Sequence, residues 1–117
     1  MRSRDAMLEV VDALASAGVS ATIDPRNVNL PGVWVQRLTL TPDLLCGGQT
    51  MRLRLVLVAP DVGTEQALDI LDDLLDAAYK VAQPNTGTGT TDRTVLLPDS
   101  ATPYPATYYD VDYQITD

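Results

Sequence analysis

Residues 51–58 read Met51-Arg52-Leu53-Arg54-Leu55-Val56-Leu57-Val58, and the fold turns on this stretch. Side chains alternate between the two faces of a strand, so Met51, Leu53, Leu55 and Leu57 make one apolar face while Arg52, Arg54, Val56 and Val58 share the reverse. After Ala59-Pro60-Asp61 the apolar period changes from 2 to 3.6. A helix capped by Thr64 is expected to run to about Ala82, with Ala67, Leu68, Ile70, Leu71, Leu74, Leu75, Ala78, Val81 and Ala82 in one arc. Asp69, Asp72, Asp73 and Asp76 fall on the opposite side. A strand with one wholly apolar face, followed by a one-sided helix, requires the helix to lie on that face.

The flanking segments extend this plan. From Ser3 to Ala17, Met7, Val10, Val11, Leu14 and Ala17 recur at helical spacing, with Ser3 as cap and Gly18 as a left-handed stop. Ala21 to Ile23 is extended, and Asn27 to Gly32 reads as loop. Val33 to Leu40 reads as a strand with Trp34, Leu38 and Leu40 on one face and Val33, Val35, Arg37 and Thr39 on the other. It is joined to the central strand by a projecting loop, Thr41 to Thr50, that carries Leu44 and Leu45 near its tip. After a Thr-Gly loop from Gln83 to Asp92, a brief strand is expected over Arg93 to Leu97 and an extended linker over Pro98 to Pro105. Ala106 to Ile115 then alternates, with Tyr109, Val111, Tyr113 and Ile115 opposing Tyr108, Asp110, Asp112 and Gln114. The whole chain, residues 1–117, therefore reads as a single α+β domain: a two-layer sandwich with two amphipathic helices on one face of a mainly antiparallel sheet.

Composition narrows the function. The 117 residues carry a formal charge of −8, no histidine and one cysteine, Cys46. Without histidine the commonest general base and metal ligand is missing, and a lone cysteine can form neither an intramolecular disulfide nor a Cys-based zinc site. No enzymatic activity, cofactor or metal is expected. Net negative charge opposes a grip on phosphate. No apolar run reaches the ~20 residues of a membrane-spanning helix, and nothing directs export.

Each remaining cluster has a plain alternative. The aspartate arc lacks the turning backbone and bend glycine of a calcium loop, and reads as a solvated face. The Thr-Gly segment lacks the GK[ST] of a phosphate cradle. Cys46 has no histidine to activate it. Arg37, Arg52, Arg54, Tyr108, Asp110 and Asp112, together with Val56 and Val58, are expected on the sheet face away from the helices. A face mixing both charges with large apolar groups suits a protein partner; the alternative is that Arg52 and Arg54 balance Asp110 and Asp112 across the sheet.

The arrangement resembles the tail terminator proteins of long-tailed, non-contractile bacteriophages, particularly those of actinobacterial phages. The resemblance rests on the leading helix, Leu30-Pro31-Gly32-Val33-Trp34-Val35-Gln36, the strand ending Leu57-Val58-Ala59-Pro60-Asp61, and the helix containing Leu71-Asp72-Asp73-Leu74-Leu75-Asp76-Ala77-Ala78. The Pro98 to Pro105 linker and the terminal strand also fit. It implies a structural virion protein, made in the host cytoplasm and built into the phage neck. There a homo-hexameric ring ends growth of the tail tube, meets the tube protein and the head–tail connector, and lets DNA pass through its lumen. Interface residues under this reading are Arg37, Arg52, Arg54, Tyr108, Asp110, Asp112, Leu44 and Leu45. Other neck and head–tail joining proteins share this look, and a small-molecule-binding regulatory domain is the alternative of a different class. At ~13 Å radius of gyration, six spherical subunits leave a hole of ~35 Å.

Overall fold

A computed structural model of the chain describes residues 3–28, 30–42, 48–60, 63–83, 89–98 and 103–115. The elements are α1 (Ser3–Ser16), β1 (Ala21–Thr22), a 3-10 turn (Pro25–Asn27), β2 (Gly32–Pro42), β3 (Gln49–Val58), α2 (Thr64–Tyr79), β4 (Thr91–Val95) and β5 (Tyr104–Ile115). They form one five-stranded sheet in the order β1-β2-β3-β5-β4. The short β1 runs parallel to β2, and every other neighbouring pair is antiparallel. The chain is an α+β domain with both helices on one face of a mainly antiparallel sheet.

That helix-covered face is built as the alternation of β3 dictates. Met51, Leu53, Leu55 and Leu57 are fully buried, and they cluster with Ala6, Val10 and Leu14 of α1, Ala67, Leu71, Leu74 and Ala78 of α2, and Tyr109 and Val111 of β5. Asp69, Asp72, Asp73 and Asp76 are exposed on the far side of α2. The helix is shorter than its apolar arc predicts. It ends at Tyr79, so Val81 and Ala82 pack against the core from the segment after it. Its N-cap is Gly63, not Thr64, at φ 103°.

The face assignment of β2 differs from the sequence expectation. Val33 and Val35 are fully buried and pair with Leu57 and Leu55 on the helix-covered face, whereas Trp34 pairs with Val56 on the reverse. A register shift between Arg37 and Thr39 makes Leu38 an extra residue, so Leu40, opposite Met51, joins the face that Trp34 does not share. A bulge reverses the parity of every residue after it, which is why a strict period of two misplaced this strand. Arg37 accordingly lies opposite Leu53 on the helix-side face, not beside Arg52 and Arg54.

The reverse face carries a second core. Val56 and Val58 are fully buried there with Val95, Leu97 and Ala106, flanked by Val28, Leu30, Trp34, Tyr104 and Tyr108. These valines are covered by their own chain rather than presented to a partner. Two boundaries also move: β4 starts at Thr91 and ends at Val95, leaving Leu96 65% exposed, and β5 begins at Tyr104 inside the expected proline linker. Pro105 is tolerated in the strand because its carbonyl accepts from Ala59 N–H at 3.0 Å. Its missing donor therefore points towards the end of β3 rather than into the β4 ladder. With a radius of gyration of 14.5 Å and extents of 49 × 30 × 24 Å, the molecule is more elongated than a sphere of its length.

Gly18 closes α1 as expected. It sits at φ 85°, its N–H donates to Ala15 O at 3.0 Å, and Val19 N–H donates to Leu14 O at 2.9 Å. This paired pattern is the Schellman cap, completed by apolar contact between buried Val19 and Leu14. A Cβ at position 18 meets nothing within 4 Å, so only backbone strain opposes a side chain there. Gly18→Ala should lower unfolding free energy by ~1–2 kcal/mol with the fold retained, read as a shifted urea midpoint at unchanged m-value. Leu55→Ala, which empties the centre of the main core, should cost more, ~2–5 kcal/mol.

Candidate functional site

Beyond the second core, the reverse face ends in charge. Cross-strand register sets Arg52 opposite Asp112 and Arg54 opposite Asp110. Arg52 Nε donates to Asp112 Oδ1 at 3.0 Å, while Arg54 is bidentate on Asp110, Nε to Oδ1 at 2.9 Å and Nη2 to Oδ2 at 3.3 Å. The Arg54 guanidinium also lies 4.2 Å from the centre of the Tyr108 ring, and Arg93 approaches the same ring at 5.5 Å. A planar guanidinium with a fork to a carboxylate and a face on an aromatic ring is well suited to this corner. The partner of each arginine holds its proton more firmly: Asp112 raises Arg52, and Asp110 raises Arg54, chiefly through the side-chain hydrogen bonds.

Of the residues singled out from sequence, Arg52, Arg54, Tyr108, Asp110 and Asp112 thus come together on one face. They pair within the chain, which is the alternative reading of their charges. Arg37 is on the opposite face, and Leu44 and Leu45 lie outside the described residues, as do Cys46 and most of the Thr-Gly loop. The Arg52–Asp112 pair is half-exposed; Arg54 and Asp110 keep about a quarter of their side-chain surface in solvent. Exposed pairs contribute little stability on the whole, so this ladder fixes register more than it holds the fold.

A cleft of about 460 Å³ lies between α1 and the segment after α2, floored by Val111. At its wall the Tyr113 hydroxyl donates to Glu9 Oε2. This bond, with desolvation and the carboxylate charge, raises the Tyr113 pKa, so the phenol is held as a donor and is ill suited to act as a base. Deeper in the layer, the Tyr109 hydroxyl donates to Ala82 O at 2.6 Å and its ring meets Tyr79 edge-on at 5.0 Å. These two tyrosines tie β5 to both helical segments. Alternation had placed them on the inner face, but their partners depend on how the helices end. Among the described residues no cluster of three or more His, Cys, Asp or Glu side chains could hold a metal ion. No described helix is long and apolar enough to cross a membrane.

Tyr109 gives this layer a pH dependence with a defined sign. Burial, with a smaller contribution from Tyr79, raises its pKa well above the ordinary value. Unfolding frees the phenol to ionise at pH ~10, where the folded protein still keeps it neutral. Its contribution is therefore complete below pH ~10 and declines above it, by at most ~1.4 kcal/mol per pH unit. Urea midpoints measured from pH 8 to 11 should show this decline, and Tyr109→Phe should flatten it while losing stability at pH 8 through the missing bond to Ala82. Compared with models of known protein families and with characterised proteins, the chain matches neither a family model nor a relative.

Proposed function

We propose that this chain is a structural subunit that assembles into a ring at the end of a phage tail tube, ends tube growth and joins the tail to the head connector. The observation that carries the reading is the uncovered end of the sheet. Residues 37–42 of β2 are exposed throughout, Leu38 and Leu40 are 38% and 39% exposed, and the charges beside them on β3 and β5 are already paired. This end of the sheet thus exposes apolar area on β2, with Leu40 on the helix-side face, and carries paired charges on the reverse face, and a protein neighbour that covers the end suits both better than solvent. The sequence resemblance to tail terminators supplies the identity of that neighbour.

Dimensions and charge are compatible with a ring. Six copies set with the 30 Å axis along the circumference and the 24 Å axis radial leave a lumen of about 36 Å by plane geometry. Their combined charge of about −48 repels phosphate and favours DNA passage over adhesion. No catalytic step is assigned. The cleft beside Glu9 and Tyr113 supports the second reading, a small-molecule-binding domain, but it has few polar groups that converge on one point.

The test is polymerisation of the cognate tail tube protein with and without this chain. Expected outcomes are tubes that stop growing at substoichiometric amounts of the chain and carry a ring at one end in negative-stain images. Tubes of unchanged length with bare ends would sink the proposal, and tight binding of metabolites to a strict monomer would favour the alternative.

A further inference from the structure

We infer that the open edge of β2 pairs with β4 of a second copy of this chain, antiparallel and head-to-tail, with Arg37 directly opposite the neighbour's Asp92. This deepens the ring reading and rests on it for the presence of like-oriented neighbours.

The edge is open by length. β2 spans 11 residues, but β1 pairs only with Val33 and Trp34, and the chain turns away there as Asp24 N–H donates to Thr22 Oγ1 at 3.1 Å. From Val35 onward no described strand pairs with the far side of β2. At the other end of the sheet β4, five residues long, pairs only with β5. An unpaired strand edge is a template for another strand unless something blocks it.

Polarity then selects the partner. Successive strands in the order β2-β3-β5-β4 are antiparallel, so β2 and β4 run in opposite directions. A copy placed alongside in the same orientation presents its β4 antiparallel to β2. Such a contact joins two different surfaces of the same molecule, and repetition with rotation closes a ring.

Hydrogen-bond direction selects the register. Val33 N–H donates to Ser20 O at 2.8 Å, on the outer side of β2, and Val35 and Arg37 point their backbone groups the same way. On the other edge, Ala59 N–H donates to Pro105 O, so Pro105 and Thr107 face β3 and Tyr104, Ala106 and Tyr108 face β4. Their partners Val95, Arg93 and Thr91 turn inward to meet them, which leaves Asp92 and Thr94 pointing outward. Pairing Arg37 with Asp92 also pairs Val35 with Thr94, and both become hydrogen-bonded pairs. Arg37 and Asp92 are exposed and share the helix-side face, since Asp92 lies opposite Thr107 and Arg37 opposite Leu53. Opposite charges face each other in this register, and shifting it by two residues in either direction removes that pairing. The bulge at Leu38 bends β2 away beyond Arg37, so the contact stays short and serves assembly of one kind rather than open-ended sheet growth.

Disulfide trapping in the full chain tests the register. In a Cys46→Ser background, Gln36→Cys and Arg93→Cys together place thiols at the non-hydrogen-bonded pair between the two edges, where Cβ atoms come close enough to bridge. Oxidation should give a ladder of covalent oligomers on a non-reducing gel, collapsed by reductant, and neither single cysteine should give one. Light scattering provides the second arm: Arg37→Asp and Asp92→Arg should each weaken self-association by ~10-fold or more, and the double reversal should restore it. Circular dichroism checks that each variant is folded. Absence of a ladder from the double-cysteine protein overturns the inference, as does a dimer trapped by Gln36→Cys alone, which would mean β2 pairs with β2. Rings that cap tubes normally in both single reversals would overturn this edge contact while leaving the proposed function standing.

Discussion

Burial of β3 on both sides is the constraint on which the rest of the structure depends. Its Leu53, Leu55 and Leu57 lie under the helices and its Val56 and Val58 lie under the loop that brings Val28 and Leu30 across the reverse face. Each such side chain contributes ~1.5–3 kcal/mol on leaving water, while an exposed ion pair contributes ~0–1 kcal/mol. The apolar residues therefore hold the strand in place. Arg52 and Arg54 occupy the end that no described loop covers, and they stay at the surface because each reaches an aspartate directly across on β5. A one-residue slip between β3 and β5 would break both pairs and turn leucines outward, so packing and electrostatics specify the same register.

How much of this was legible in the sequence follows from which interactions are local. The inner face of β3, the apolar arc of α2 apart from Leu68, which is exposed, the glycine stop at Gly18 and the Arg–Asp pairing across β3 and β5 all come from periodicity or residue chemistry, and the structure has them. β2 was misread because its period is broken: Val33 and Val35 precede the bulge and Leu40 follows it, so no single phase describes the strand. Arg37 was placed on the wrong face by the same error. The burial of Val56 and Val58 was hidden for a different reason, since it depends on Val28, Leu30 and Leu97 packing against them, a tertiary event with no periodic trace. Gly63 rather than Thr64 caps α2, because a positive φ at Gly63 brings the chain into the helix without a side-chain cap.

The absence of histidine also shapes the physical argument about activity. Proton transfer near neutral pH then falls to carboxylates, tyrosines or the thiol of Cys46, and Tyr109 and Tyr113 are held on the protonated side of their ordinary range. Tyr113 donates to a carboxylate and Tyr109 to a carbonyl; both hydroxyls are committed to structure. Asp24, Asp110 and Asp112 accept side-chain hydrogen bonds from arginines. What these groups do is fix elements relative to one another.

Edge strands and assembly pull in opposite directions, and this sheet shows both influences. The Leu38 bulge, the short β4 and proline at position 42 are features that discourage indiscriminate pairing. Pro42 stands where the reversed parity after the bulge turns its missing N–H outward, so the edge loses a donor without harm to the β2–β3 ladder. Between Trp34, where β1 ends, and Leu38, where the strand bends, these devices leave a window that admits two hydrogen-bonded pairs. A window that narrow is too weak for a lasting contact between two isolated copies. In the proposed ring it would become adequate, because closure lets each copy be held from both sides and the last contact forms within an assembly already in place, at high effective concentration. Weak edges combined with closed symmetry would keep the free subunit from aggregating and still allow a defined ring to form at the end of a tube.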